Sequence, residues 1–418
     1  VPNHICVHSE IGRLNTVLIH QPGGEMENMT PATAADVLFD DILNLDLALA
    51  EHRQLTGVLR RVADVLEFSE LLEDILADEK VKLSLLQQVC ELHRCQELVD
   101  DLMATPAKPL ARQLFEGTLQ RKDSLEKYLN PSPHAIPPLP NAFFTRDASM
   151  CVYDQVVIGS MAHKVRLTES LLLRAIFKHH PKLKGHAFLM DGTQAGSDKL
   201  TVEGGDVLVI RDDLVVLGYS ERTSPQAIDF LARQLSQGKQ QFNVIAVELP
   251  KQRATIHLDM IFTMLDVDTF MIFPPLITGA GKCKAFHMHL RDGKVTRIDE
   301  YSGLPKALRR LGMEIKMVPC GGTDPFRQER EQWTSGANFF AFAPGQVLGF
   351  AHNTGTLEAL SQAGYDVVHA NEIITDKKAI GSGKVAVAMD GAELSRGGGG
   401  CRCMTMPICR QPVEWPCR

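Results

Sequence analysis

Short apolar runs alternate with amphipathic stretches over nearly the whole chain, and that alternation limits it to folds that mix strands with helices. Thr16 to His20 (TVLIH) is β-rich and is stopped by Pro22, Gly23 and Gly24. Thr30-Pro31 then opens a helical pattern through Leu38, Leu43, Leu47 and Leu49, which predicts strand, loop, helix. From about Ser69 to Tyr128 the character changes: Leu, Glu, Asp and Lys dominate, and the only glycine is Gly117. This stretch is expected to be a small helical bundle. It ends in the proline-rich linker Asn130 to Pro140, which cannot continue a helix.

Beyond the linker, apolar runs at Val152 to Ile158, Val207 to Ile210, Leu214 to Leu217, Val244 to Val247, Phe270 to Phe273, Val347 to Phe350 and Val385 to Met389 predict strands. Helices are expected from Leu167 to Phe177 and from Pro225 to Leu235. The turn residues Arg211-Asp212-Asp213 and Pro344-Gly345 predict hairpins. A mixed α/β architecture follows, although direct self-similarity is too weak to count repeats.

The chain's 418 residues, 44% hydrophobic and 23% charged, suffice for one large domain or two unequal ones. A formal net charge of −7 provides no general basic field for a nucleic acid or an anionic membrane, which leaves small molecules as the expected ligands. Val1 to Glu10 lacks the pattern of a secretion signal, and no 18-residue apolar stretch occurs, so the expected address is the cytoplasm. The ten cysteines are scattered and are expected to be mostly reduced. Nothing fixes the oligomeric state, and a homo-oligomer stays open.

Five polar clusters interrupt the apolar background, each at the edge of a predicted strand: Asn141 to Asp147, Glu203 to Asp206, His257 to Asp259, Arg327 to Asn338, and Gly397 to Cys403. Strand ends converge on clefts in α/β folds, so these groups can meet in space. Cys403 is the candidate nucleophile, because it follows four glycines and neighbours Arg402, whose charge is expected to favour thiolate. A structural zinc site with Cys401, Cys409 and Cys417 is the competing reading, but the spacing departs from the usual paired cysteines. His257 and Asp259, two apart on an expected strand, would face one side, and histidine is a suitable acid-base partner for a cysteine. Standing alone, such a histidine is commonly structural. Glu203, Asp206, Asp147 and Asp259 make a carboxylate cluster that calls for a cation: a metal ion, or a guanidinium whose planar fork pairs with carboxylates.

Taken together, these residues resemble the arginine deiminase family of guanidino-group-modifying enzymes. The resemblance runs nearly end to end: Ser9 to Gly12 (SEIG), Val17 to Gly23 (VLIHQPG), Leu38 to Ile42 (LFDDI), Pro140 to Asp147, Glu203 to Asp206 (EGGD), Glu221 to Thr223 (ERT), His257 to Asp259 (HLD), Arg330 to Trp333 (REQW) and Cys403 to Pro407 (CMTMP). It implies a five-bladed α/β propeller of ββαβ modules with an inserted helical domain. The expected boundaries are 1–68 and 131–418 for the propeller and 69–130 for the insertion. Dimethylarginine hydrolases resemble the same core without the insertion.

The resemblance also implies L-arginine as substrate, citrulline and ammonia as products, and no metal or organic cofactor. Cys403 becomes the nucleophile, His257 the acid-base group, and Glu203 the carboxylate that orients it. Asp147 and Asp259 become guanidinium clamps, and Arg166 and Arg222 hold the substrate's α-carboxylate. Asn141, Phe144 and Asp206 are supporting pocket residues. Two positions depart from the family: Gly398 stands where some relatives carry a substrate-contacting arginine, with Arg396 and Arg402 as nearby substitutes, and His352 stands where arginine is frequent. The three carboxylates Asp147, Asp259 and Glu203 are expected to repel one another until a guanidinium arrives, so replacing Asp147 or Asp259 by Ala should lower ligand-free stability little, or even raise it. The rival readings are a binuclear metal hydrolase of guanidines, an amidinotransferase, and an arginine-binding protein without activity.

Overall fold

The strand Leu14–Ile19 takes Asp64–Glu67 in parallel on one side and Met406–Arg410 antiparallel on the other, so early and late parts of the chain share one sheet. The computed structural model describes residues 4–194 and 199–415. Seven of the nine cysteines in the described residues are buried, Cys6 and Cys409 are half-buried, and Cys417 lies outside the described residues.

One order of elements recurs in the five larger sheets: an antiparallel strand pair, a helix, and a strand that returns parallel to the pair. In the sheet just named the helix is Leu45–Val62. In the next, Ser149–Val152 pairs with Gln155–Ile158, the helix is Leu167–His179, and Phe188–Asp191 returns. The third joins Val207–Arg211, Leu214–Tyr219, the helix Pro225–Leu235 and Phe242–Glu248, with two further strands, Ala285–Arg291 and Lys294–Tyr301, added at its edge. Phe262–Met264, Thr269–Ile272 and Lys316–Pro319 form the fourth, with the helix Leu304–Arg310 in the connection. The fifth holds Phe340–Ala343, Gln346–Phe350, Asp366–His369 and Val385–Met389, with the helix Thr354–Gln362. Parallel strands need such crossovers, whereas the antiparallel pairs close through short turns. The strands Val207–Arg211 and Val385–Met389 are buried along their whole length, which is why they appear in sequence as continuous apolar runs without alternation.

Helices fill most of 69–130: Phe68–Leu76, Glu79–His93, Val99–Ala104, Ala107–Glu116 and Leu125–Leu129. Asp78 caps the second by accepting from the backbone N–H groups of Lys80 and Val81, a contact typically worth about 1 kcal/mol. Leu72, Leu86 and Leu114 of these helices share one apolar core with Leu18, Leu172 and Ile176.

Three expectations fail in detail. The helix expected from Thr30-Pro31 starts only at Leu45, capped by Asn44, because Leu38 adopts a left-handed backbone (φ 69°) that stops the preceding 3-10 turn. The single strand expected at Val152 to Ile158 is a hairpin whose turn is Tyr153 (φ 55°) and Asp154. His257 and Asp259 lie on no strand: His257 is extended and Leu258–Met260 forms a 3-10 turn. Within the linker, His134–Ile136 pairs with Thr118–Leu119, a short sheet that the proline content conceals.

Candidate active site

All five polar clusters lie immediately before the first strand of an antiparallel pair, and four contain or form short 3-10 turns: Pro140–Phe143, Gly204–Asp206, Leu258–Met260 and Leu394–Gly397. The remaining cluster ends at Asn338, just before Phe340–Ala343. A narrow cavity of about 20 Å³ opens among them, lined by Leu38, Asn141, Phe144, Asp147, Arg166, Arg222, Arg253, His257, Cys403 and the glycines 397–399. Glu203, Asp206 and Asp259 do not line it. They stand directly behind the lining, fully buried.

Close packing explains the glycines. A Cβ on Gly399 would lie 2.5 Å from the Phe144 ring, and one on Gly205 would overlap the His257 imidazole. The loop after Gly400 is then fixed by Asn338, whose Oδ1 accepts from the backbone N–H of Arg402 (2.9 Å) and of Cys403 (3.2 Å). Its Nδ2 donates to the Cys403 sulfur at 3.2 Å and to the Asp259 carbonyl at 3.2 Å. Asn338 belongs to a polar cluster visible in the sequence, but no local pattern assigns it to the cysteine.

The acid-base candidate is held from two sides. His257 Nε2 lies 2.9 Å from Glu203 Oε2 and its Nδ1 lies 3.7 Å from Asp147 Oδ1. Asp206 fixes the following turn by accepting from the Leu258 N–H (2.8 Å) and the Ser220 hydroxyl (2.6 Å). Burial disfavours the imidazolium, but Asp147, Glu203 and Asp206 outweigh it and bring the His257 pKa up to about 9. Burial likewise opposes the Glu203 carboxylate, yet the His257 hydrogen bond and Arg222 pull its pKa down to about 2. Asp206 is pushed up to about 6 by burial.

The thiol behaves contrary to expectation. Cys403 is 3% exposed, and burial together with Asp259 and Asp147 pushes its pKa well above the usual thiol value. Arg402 does favour the thiolate, but its guanidinium is engaged by Glu10 (2.9 Å) and Asp259 (2.8 Å), and burial with the two aspartates outweighs it. The resting site therefore pairs a neutral thiol with an imidazolium.

Mutual repulsion of the carboxylates is also not what the structure contains. Asp147 Oδ2 accepts from Arg166 Nη1 at 2.7 Å, Asp259 Oδ2 accepts from Arg402 Nη1 at 2.8 Å, and Glu203 lies 3.5 Å from Arg222. Each carboxylate already has an internal cation, because leaving it without one at this depth would cost several kcal/mol (roughly). The second oxygens, Asp147 Oδ1 and Asp259 Oδ1, are buried without a hydrogen-bond partner.

The two arginines expected at the substrate carboxylate differ. Arg166 is engaged by Asp147, by Glu169 through Nε and Nη2, and by the Asn141 carbonyl. Arg222 carries a buried Nε without a hydrogen-bond partner and, among the described residues, pairs with the Glu203 carboxylate alone. Asn141 itself donates from Nδ2 to the Val37 carbonyl, tying the pocket wall to the Leu38 loop. Of the candidates for the place of the arginine absent at Gly398, Arg396 pairs with Asp41 and Glu393 outside this cavity, and Arg402 is buried beneath it. Arg253, which sequence reasoning missed, lines the cavity instead. It donates to Asp40 (2.6 Å) and the Leu38 carbonyl (2.8 Å), and its Nη2 would lie 3.4 Å from a Cβ on Gly398. His352 is not part of the lining and stacks on Phe350 at 5.4 Å.

Asp147, Glu203 and His257 are close enough to share a metal ion, their donor atoms lying within 4.8 Å of one another. Arg166 and Arg222 already sit on the two carboxylates, which opposes a further cation there. Among the described residues, Cys401, Cys403 and Cys409 form no metal-holding group with one another.

A sequence profile for arginine deiminase matches residues 35–410. The chain belongs to the arginine deiminase family. It is similar to the arginine deiminase of Limosilactobacillus reuteri, with 33% identity over 98% of this chain and 99% of that one. Among solved structures it resembles the amidinotransferase SxtG from Microseira wollei, at 13% identity and TM-score 0.56, covering 98% of each chain. It also resembles AgrE in a ternary complex with ornithine and NAD+, at 14% identity and TM-score 0.53; it covers 96% of this chain but spans only 40% of the AgrE chain. These structural likenesses show the mixed α/β fold of this family member and no more.

Proposed function

We propose that this arginine deiminase family member hydrolyses L-arginine to L-citrulline and ammonia, with Cys403 as nucleophile and His257 as acid and base. The observation that carries this reading is the pair of buried carboxylate oxygens without a hydrogen-bond partner, Asp147 Oδ1 and Asp259 Oδ1, in a site whose sulfur lies 3.6 Å from Asp259. Two such acceptors suit the N–H groups of a planar guanidinium, and they would hold that plane for attack on its carbon. Arg222, with its free Nε, is the residue we assign first to the substrate's α-carboxylate, and Arg166 supports it while positioning Asp147. Asn141 and Phe144 shape the wall, and Asp206 positions His257 through Leu258.

The chemistry follows from the two pKa shifts. The guanidinium brings positive charge beside Cys403, offsets the carboxylates that hold the thiol protonated, and lets its proton leave to solvent. The thiolate attacks the guanidinium carbon, forming a C–S bond and a tetrahedral adduct. His257, protonated below about pH 9, gives its proton to the departing nitrogen, the C–N bond breaks, and ammonia leaves. An S-alkylthiouronium remains on Cys403. Neutral His257 then takes a proton from water, the hydroxide adds to the same carbon, and breaking the C–S bond releases citrulline and restores the sulfur.

We read the five recurrences of strand pair, helix and returning strand as the blades of a five-bladed α/β propeller, with 69–130 as a helical insertion between 1–68 and 131–418. The nine described cysteines are free thiols, which fits a cytoplasmic address, and no described helix is long and apolar enough to cross a membrane.

The test is incubation with L-arginine as sole substrate, assaying citrulline and ammonia together. Equimolar formation without an amine acceptor is expected. Ammonia that appears only when an acceptor amine is added would mark an amidinotransferase, and a requirement for added Mn²⁺ would mark a metal hydrolase.

A further inference from the structure

A second cluster of reactive side chains lies away from the cavity, where the first described residues meet the last strand. Ile5 and Val7 are buried, which turns Cys6 and His8 to the outer side of this extended segment. Val7 exchanges backbone hydrogen bonds with Tyr153, 2.9 Å in each direction, and so places Asp154 beside His8. Cys6 forms a parallel bridge with Cys409, which sets the two residues side by side. Donor atoms of Cys6, His8 and Asp154 lie within 4.8 Å of one another.

The geometry around His8 is the informative part. Its Nε2 lies 3.2 Å from Asp154 Oδ1, and two donors bound tetrahedrally to one zinc ion at about 2.0–2.1 Å are about 3.3 Å apart. Its Nδ1 lies 2.6 Å from Asp212 Oδ1, so that a carboxylate orients the ring from the side opposite Asp154, the arrangement that commonly supports a histidine ligating a metal through its other nitrogen. Two carboxylates, Asp154 and Asp212, thus flank His8 beside Cys6, a surrounding that a cation would complete. The neighbouring protein cation, Lys239, sits over the Tyr153 and Phe242 rings at 4.3 and 4.2 Å.

We propose that Cys6, His8, Asp154 and Cys409 form a binding site for one divalent zinc-class cation, with Asp212 as the positioning residue of His8. Two thiolates, an imidazole and a carboxylate suit that class of ion. Binding releases the thiol protons to solvent. It would clamp the segment at Cys6 to the strand Met406–Arg410, which begins three residues after Cys403.

The test is titration of the full-length, reduced protein with Co²⁺, followed by its displacement with Zn²⁺. One equivalent of Co²⁺ should give a sulfur-to-metal charge-transfer band that Zn²⁺ removes. Cys6→Ser and His8→Ala should abolish the band, whereas Cys403→Ser should keep it. Asp212→Asn, a change at an exposed side chain, should weaken binding by about tenfold or more. No band with the native protein, a band that survives Cys6→Ser, or a band lost in Cys403→Ser would overturn the site. So would a Cys6–Cys409 disulfide that persists under reducing conditions.

Discussion

Asp147 separates the proposed function from a purely structural account, because one of its oxygens is committed to Arg166 and the other has no hydrogen-bond partner. Asp147→Ala would remove one partner of a buried ion pair, which typically costs about 3–5 kcal/mol. The lower end applies, since Glu169 still holds Arg166 through Nε and Nη2. Unfolding entropy of about 2.1 cal/mol/K per residue gives roughly 0.9 kcal/mol/K for 418 residues, so ~3 kcal/mol lowers Tm by about 3 °C. Arginine at about 100 times its Kd adds ~2.7 kcal/mol, a rise of similar size. The measurement is thermal unfolding in a Cys403→Ala background, which prevents turnover, with and without arginine. Asp147→Ala should show both the lower ligand-free Tm and the loss of the arginine-dependent rise. A ligand-free Tm that is unchanged or higher would refute the pairing argument, and a surviving rise would remove Asp147 from the guanidinium site.

Cys403→Ala should abolish citrulline formation while arginine still binds, and Cys401→Ala should keep most activity; the opposite pattern would place the nucleophile two residues earlier. Iodoacetamide labelling of Cys403 in the ligand-free protein should keep accelerating as pH rises past 9, because burial and two aspartates hold the thiol protonated; a plateau below pH 8 would contradict this. In kcat/KM profiles, activity should fall as pH rises through about 9, where His257 loses the proton needed by the leaving nitrogen, and a profile flat to pH 10 would exclude His257 as that acid. Arg222→Ala should raise KM for arginine with a smaller effect on kcat, and agmatine, which lacks the carboxylate, should be a poor substrate; equal handling of agmatine and arginine would sink the assignment.

What the sequence discloses and what it hides have a common physical cause. Val207 to Ile210, Leu214 to Leu217 and the Asp212-Asp213 turn between them form a hairpin because apolar run and turn chemistry are both local. The helices at Leu167 and Pro225 start where expected for the same reason, Ser224 capping the second. His257 and Asp259 lie off the expected strand, because a three-residue 3-10 turn has no period that a sequence could display. Leu38 breaks an otherwise helical pattern, and its carbonyl is held by Arg253 from 215 residues away. Glu10 behind Arg402 and Asn338 against Cys403 are likewise long-range contacts. Residue type and order point to the site, but the charge partners that set its protonation states arise only on folding.

Those partners bear on how a cationic substrate enters a site already stocked with arginines. Displacing Arg166 from Asp147 or Arg402 from Asp259 would strand a buried guanidinium, at a cost of several kcal/mol (roughly), larger than a small ligand's contacts readily offset. Sharing avoids that cost: each aspartate keeps Oδ2 on its internal arginine and offers Oδ1 to the substrate. The added positive charge then falls on the one neighbour able to respond by ionising, since Asp259 Oδ2 is 3.6 Å from the Cys403 sulfur and the thiol is protonated in the resting site. On the proposed function, the internal pairs therefore do two things at once: they keep the ligand-free carboxylates stable, and they delay formation of the reactive thiolate until a guanidinium is in place.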